Sequence, residues 1–210
     1  MNRRPLASRG TKWAQAAASF LAQKNITPNT ISILSIVFSL LSLIFYHFSK
    51  QNGFLLILAA LSIQLRLLCN LFDGMVAIEF NKKSIYGNLF NDIPDRFADV
   101  LIIMGAGLYS IHHEKTFFNP MTLAWLNSIL AVLTAYIRVL GASLGTPMFF
   151  NGVMSKPKRM AILTIATLLA LLPATGINFV YLALFIMLIG QVLTVTKRIR
   201  LITEHLKLKG

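Results

Sequence analysis

The four aspartates of this chain, Asp73, Asp92, Asp95 and Asp99, fall within 27 residues of otherwise membrane-like sequence. A carboxylate at the centre of a membrane helix costs at least ~2.5 kcal/mol. Four of them close together imply a cation for them to hold. Asn70 and Asn91 stand in the same stretch and add neutral oxygen donors. Hard oxygens of this kind suit Mg²⁺ or Mn²⁺, and such ions serve phosphate chemistry by neutralising developing charge. At 100° per residue, Asn91, Asp92, Asp95 and Asp99 lie within one 100° arc of a helix. Asn70 and Asp73, three residues apart, share a face of another. Gly74 and Gly87 flank the acids, and glycine lets a bulky ligand approach the backbone. Pro94 removes one helical hydrogen bond beside the site.

The elements that must position these residues follow from composition. The chain has 210 residues, 56% of them hydrophobic, with a mean hydropathy of +0.67, too apolar for an ordinary soluble domain. Apolar stretches at 31–49, 54–77, 87–111, 120–143, 160–175 and 177–196 predict six transmembrane helices, each near the roughly 20 residues a bilayer needs. The fifth is the shortest and ends at Pro173. The expected fold is therefore all-α and integral to the membrane, a single membrane domain over 1–210. Residues 1–30 form a cytoplasmic segment and 197–210 a cytoplasmic tail. Trp13, Ala17, Phe20, Leu21 and Lys24 recur at helical spacing, which predicts an N-terminal amphipathic helix on the membrane surface. Thr27-Pro28-Asn29-Thr30 marks a break and a new helix start.

Charge orients the spans. The net charge is +13. Basic residues lie mostly between apolar runs, which favours an anionic membrane face over nucleic acid. Arg3, Arg4, Arg9, Lys12, Lys24, Lys82, Lys83, Lys156, Lys158, Arg159, Lys197, Arg198, Arg200, Lys207 and Lys209 fall on one side. Only Lys50 and Lys115 fall on the other. The positive-inside rule then makes both termini cytoplasmic, with a bacterial inner membrane as the expected setting. The lone Cys69 allows no internal disulfide and reads as a packing residue. The N-terminus lacks the pattern of a signal peptide.

Spans two and three are expected to be antiparallel neighbours bringing Asp73 and Asp95 together near the cytoplasmic leaflet. Arg138, inside span four, needs an anionic partner, either a substrate phosphate or an aspartate. Lys156, Lys158 and Arg159 precede span five and are candidates for phosphate recognition. Arg66 either pairs with the acids or snorkels, and Arg96 is expected in a structural ion pair. Gly141-Ala-Ser-Leu-Gly145 fits a small-residue packing face, within one subunit or between two. His112 and His113 belong to the opposite interface, away from any metal.

The spacing resembles the signature of the CDP-alcohol phosphatidyltransferase family, D-x2-D-G-x2-A-R-x8-G-x3-D-x3-D. Asn70 and Asp73 occupy the first two aspartate positions, followed by Gly74, Ala77 and, at the arginine position, Ile78. Gly87, Asn91 and Asp95 complete it. The frame holds, and Asn70, Asn91 and Ile78 depart from it. Asp92 and Asp99 lie in the right arc to restore lost charge. Six spans, a basic surface helix and a Thr-Pro-Asn lead into the first span are also similar to this family. The resemblance implies transfer of a phosphatidyl or similar phospho-alcohol group from a CDP-linked lipid donor to a hydroxyl acceptor, with release of CMP, in phospholipid biosynthesis. It implies two divalent ions, Mg²⁺ or Mn²⁺, held at Asn70, Asp73, Asn91 and Asp95, and a nucleotide cradle of Asn70, Asp73, Gly74, Ala77 and Gly87. Asp95 takes the proton of the attacking hydroxyl. Arg138, Lys156, Lys158 and Arg159 would meet an anionic acceptor, and a homodimer follows by analogy.

Two other functions fit intramembrane acids: a small ion-coupled transporter, or an inactive family member acting as a scaffold. Carriers commonly show paired, interrupted helices in two related halves. Here the acids are confined to spans two and three, which favours the enzyme.

Overall fold

The structure, a computed structural model, describes residues 7–82, 84–112, 117–150, 152–172 and 176–208. Arg3, Arg4, Lys83, His113, Lys115, Pro173 and Lys209 lie outside the described residues. Among those described, the chain is all helical. After a 3-10 turn at Ala7–Gly10 come α1 (Lys12–Gln23), α2 (Pro28–Phe48), α3 (Phe54–Glu79), α4 (Gly87–Ser110), α5 (Pro120–Ser143), α6 (Lys156–Leu169) and α7 (Phe179–Lys207).

Local chemistry sets most of the boundaries. Thr27 caps α2, its hydroxyl accepting from the Thr30 N–H at 3.2 Å, and Pro28 opens the helix where its missing N–H costs nothing. Asn119 and Asn178 cap α5 and α7 in the same way. Just past α1 and α3, Asn25 (φ 57°) and Asn81 (φ 55°) take the left-handed conformation that asparagine tolerates better than most residues. Lys82 ties the α3–α4 loop back to the end of α1, donating to the Ala22 carbonyl at 2.6 Å and to Asn25 Oδ1 at 3.1 Å.

Apolar side chains cover the outside of the bundle as well as its core. The buried stripe of α2 is Ile31, Ser32, Ser35, Ser39, Ser42 and Tyr46. Its outer surface exposes Ile33, Leu34, Val37, Leu40 and Ile44. The outer face of α5 carries Trp125, Leu126, Ile129, Val132 and Tyr136, and α7 exposes Leu182, Ile186, Ile189 and Leu193. Large apolar side chains outside and small hydroxyls between helices suit a lipid solvent. Ser35 and Ser39 satisfy their hydroxyls by donating back to the Ser32 and Ser35 carbonyls at 2.6 and 2.8 Å. Four helices, α2, α3, α5 and α7, are long and apolar enough to cross a membrane. The protein is accordingly a membrane protein. The first turns of α4 carry Asp92, Asp95, Arg96 and Asp99, and α6 has only 14 residues, about 21 Å of helix.

One expectation about neighbours is corrected. Spans two and three, now α3 and α4, touch only lightly along their length, because α2 packs against both. A small residue of α4 lets α2 come close: a Cβ on Gly105 would lie 2.8 Å from the Leu43 backbone, so these helices approach as closely as glycine allows. Elsewhere α5 packs on α7 and α4, and α6 on α3 and α7. Gly141 of the small-residue motif faces Ile202 of α7, so this motif packs within the chain. Cys69 is buried in a small cluster with Ala14, Ala18, Ile31 and Val76.

Two further boundaries differ from the sequence reading. The basic stretch at Lys156–Arg159 is the first turn of α6, because Ser155 and Pro157 start the helix there. The tail from 197 onward continues α7 through Lys207.

Candidate active site

All the charged residues that could do chemistry gather at one end of the bundle. This is the C-terminal end of α3 and α5 and the N-terminal end of α2, α4 and α6. Asp73 comes from α3 and is 4% exposed. Its Oδ2 accepts from Ser32 Oγ of α2 at 2.8 Å, and the Gly74 N–H also serves its carboxylate. Asp95 comes from α4, is 8% exposed, and lies within electrostatic reach of Asp73. These are the two carboxylates retained from the signature.

Asp95 is paired with the Lys156 ammonium in the first turn of α6. Arg66 Nη2 stands 3.7 Å from Asp95 Oδ1 and donates to the Asp95 backbone carbonyl at 3.2 Å. Arg96 Nη2 is 3.8 Å from Asp95 Oδ2 and 3.6 Å from Asp92 Oδ1. Arg96 thus makes the ion pair expected of it, with an aspartate on each side. Pro94 cannot donate to the Phe90 carbonyl one turn back, so α4 is short of a backbone bond next to Asp95.

Asp99 lies one turn deeper, with both oxygens engaged. Arg66 of α3 binds Oδ1, and Arg159 Nη2 of α6 binds Oδ2 at 2.6 Å. Arg66 is fully buried and Arg159 is 2% exposed. This three-member ion network ties α3, α4 and α6 together. A buried charge of this kind persists only when paired, so the network fixes where the helices sit. Arg159 is therefore held by Asp99 and not presented to the surface, and Arg66 pairs instead of snorkelling. Asp92, on the rim, pairs with Arg138 Nη2 of α5 at 3.4 Å. The Arg138 guanidinium also lies 5.3 Å from the centre of the Phe150 ring. Lys158 is exposed and Asn91 is exposed.

The donor set fits a hard cation. Asn70, one turn before Asp73, has both side-chain polar atoms buried without a hydrogen-bond partner. A buried amide in that state calls for a ligand. Its oxygen, with Asp73 and Asp95, supplies the hard donors that Mg²⁺ or Mn²⁺ takes. Among the described residues no three of His, Cys, Asp and Glu converge to cage a metal, so the cation must share its shell with amide oxygens and with substrate. Gly87 leaves the backbone open near this set; a Cβ there would meet nothing closer than Ser84 Oγ at 3.7 Å. Ala77 lies one turn beyond Gly74 on α3.

Sequence reasoning missed Ser32, although its stripe with Ser35, Ser39 and Ser42 repeats at three and four residues. It also counted Arg198 only as tail charge. Arg198 is 7% exposed and donates to the Thr134 carbonyl and, at 3.5 Å, to the Phe150 carbonyl. One arginine within a basic cluster, Lys197-Arg198-Ile199-Arg200, gives no signal that it alone turns inward.

Several known proteins are similar to this chain. The model of the CDP-alcohol phosphatidyltransferase family matches residues 25–196. The phosphatidylinositol phosphate synthase of Streptomyces avermitilis is 25% identical over 188 residues, covering 87% of this chain and 74% of that protein. The archaetidylinositol phosphate synthase of Pyrococcus horikoshii is 26% identical over 181 residues, covering 86% of this chain and 89% of that one. Among solved structures, the Mycobacterium tuberculosis phosphatidylinositol phosphate synthase with CDP-DAG bound matches with a TM-score of 0.77 at 17% identity, over 91% of this chain and 94% of that one. The same enzyme with manganese and citrate matches at 0.75 and 17% identity, over 90% and 88%. At that identity the likeness is one of fold. A signature frame filled by Asp73, Gly74, Ala77, Gly87 and Asp95, a shared fold and a family match over most of the sequence agree: this chain belongs to the CDP-alcohol phosphatidyltransferase family.

Proposed function

We propose that the chain transfers a phosphatidyl or similar phospho-alcohol group from a CDP-linked lipid to a hydroxyl acceptor, releasing CMP, at the cytoplasmic edge of a bilayer. The observation that carries this is the burial of Asp73 and Asp95 within electrostatic reach of each other at one end of the bundle, in the signature's spacing and beneath a rim of cations. Asn70, Asp73, Asn91 and Asp95 hold Mg²⁺ or Mn²⁺. When bound, the ion neutralises the pyrophosphate of the donor and the charge that develops on CMP as it leaves.

The remaining work falls to the chain itself. Asn70, Asp73, Gly74, Ala77 and Gly87 form the cradle for the cytidine diphosphate, with the two glycines letting the pyrophosphate lie close to the backbone. Asp95 orients the acceptor hydroxyl and takes its proton as the new ester bond forms. Arg138 and Lys158 draw an anionic acceptor to the rim, and Lys156 meets phosphate oxygens next to Asp95. Asp99 positions Arg66 and Arg159, and so the helices on either side of the site. Asp92 holds Arg138 until an anion competes for it.

The topology proposed with it has α2 to α7 as six spans and both termini on one side; the cation-rich loops favour the cytoplasm for that side, where nucleotide and leaflet lipid meet. In α1 the buried face is Ala14, Ala18 and Ala22, while Trp13 and Phe20 are exposed, as expected of a helix lying on lipid. The two relatives named above are synthases of inositol-phosphate lipids, which supports a phosphorylated polyol as acceptor. A bacterial inner membrane and a homodimer complete the proposal.

The test is direct. Purified protein in lipid nanodiscs, given CDP-diacylglycerol and Mg²⁺ or Mn²⁺, is expected to release CMP with a phosphorylated polyol and to stop when the ion is chelated. No CMP with glycerol phosphate, inositol phosphate, serine or simple polyols overturns the assignment and leaves the scaffold or carrier reading.

A further inference from the structure

We propose that Lys156 is a built-in cation of this site: the chain binds one divalent ion at Asp73 and Asp95, and the Lys156 ammonium holds the place beside Asp95 that a second ion would need. This rests on the metal-dependent reading above and sharpens it.

Charge counting comes first. Of the four acids, only Asp73 and Asp95 are available. Asp99 has both oxygens bound by Arg66 and Arg159. Asp92 stands on the rim with its side chain 45% exposed, between Arg138 and Arg96. Asn70 and Asn91 bring oxygens without charge. Two carboxylates and one ammonium leave a net charge of −1, which one divalent ion turns to +1. A second would raise it to +3, with Arg66 and Arg96 also close to Asp95. Like charges at such separations repel strongly outside bulk water. A two-ion site would have to displace the lysine.

Geometry argues against displacement. Lys156 is the first residue of α6, whose first turn is locked in place. Pro157 fixes the backbone there, Arg159 is bound to Asp99, and Met160 is fully buried. The lysine side chain is 19% exposed and lies in direct contact with a carboxylate that is itself 12% exposed. It is also within electrostatic reach of Asp73 and Asp99. An ammonium is a compact point charge with three donors. Held at Asp95, it has donors left for oxygens of the donor's pyrophosphate, which is the service a second ion would give. Amide in place of acid at positions 70 and 91 and a half-buried lysine at Asp95 are then two halves of one change.

The experiment counts Mn²⁺ on the intact chain in nanodiscs, with and without CDP-diacylglycerol, by calorimetry and by electron paramagnetic resonance. The wild-type chain is expected to take one ion per chain and give an uncoupled six-line spectrum. A variant combining Lys156→Gln with Asn70→Asp and Asn91→Asp is expected to take two ions with a spin-coupled spectrum. Two coupled ions in the wild type, alongside Mn²⁺-dependent CMP release, overturn this inference and leave the proposed function standing. A triple variant that binds its first ion but never a second also overturns it. No Mn²⁺ bound and no CMP released overturns the function itself.

Discussion

Asp99 is the aspartate whose role changes most between sequence and structure. On the helical wheel it shares an arc with Asp95 and reads as a spare metal ligand. In three dimensions its oxygens are bound by two arginines from two other helices, so it acts on the site through them. The two acids should therefore fail differently. Asp95→Asn is expected to cut CMP release by at least about 10²- to 10⁴-fold, the range for loss of a general base, and to weaken Mn²⁺ binding, because Asp95 is also a metal donor. Asp99→Asn leaves buried guanidinium groups underpaired, at a cost of about 3–5 kcal/mol. Its melting midpoint should fall on the order of 10 °C for a chain of this size. Parallel turnover and thermal-shift measurements on both variants check this. If Asp99→Asn kept its stability and lost metal affinity instead, Asp99 would be a ligand.

At the scale of elements, α2 sets the alignment of the other two helices of the site. It contributes no metal donor, yet it packs against both α3 and α4 and its Ser32 holds Asp73. The close approach at Gly105 tests that role. Gly105→Ala puts a methyl 2.8 Å from the Leu43 backbone, which cannot swing aside as a side chain would. A cost of about 1–3 kcal/mol is expected from such overpacking, read as a lower melting midpoint. Gly53→Ala, with nothing within 4 Å, should stay within about 0.5 kcal/mol of wild type.

What was legible in the sequence divides along the same line. The Asn70–Asp95 frame, the six apolar stretches and the Thr27-Pro28 helix start were readable, because local spacing and caps encode them. The Arg66–Asp99–Arg159 network was not. Periodicity tells which residues share a face of one helix but not which of several helices lies opposite. The same limit produced the expectation that α3 and α4 pack side by side. Adjacency along the chain stood in for adjacency in space, and the serine stripe that draws α2 between them was left unread. Lys156 lies outside the apolar stretch that begins at 160, and hydropathy alone does not reveal a polar first turn of a helix.

For the molecule as a whole, the proposed topology puts the α3–α4 loop in the cytoplasm and the α2–α3 loop outside. Single-cysteine variants in a Cys69→Ala background test it. Ile85→Cys, at a position 97% exposed, should react with an impermeant maleimide from the cytoplasmic side alone. Gln51→Cys, in the short α2–α3 turn, should react from the opposite side alone. Labelling of both positions from one side would break the six-span arrangement. A further consequence follows from α2 touching both helices of the signature. Synthesis runs from the N-terminus, so α2 leaves the ribosome before α3, and α3 before α4. Each acid-bearing helix therefore meets a partner already waiting in the bilayer, and the charged pocket is assembled against a template laid down first.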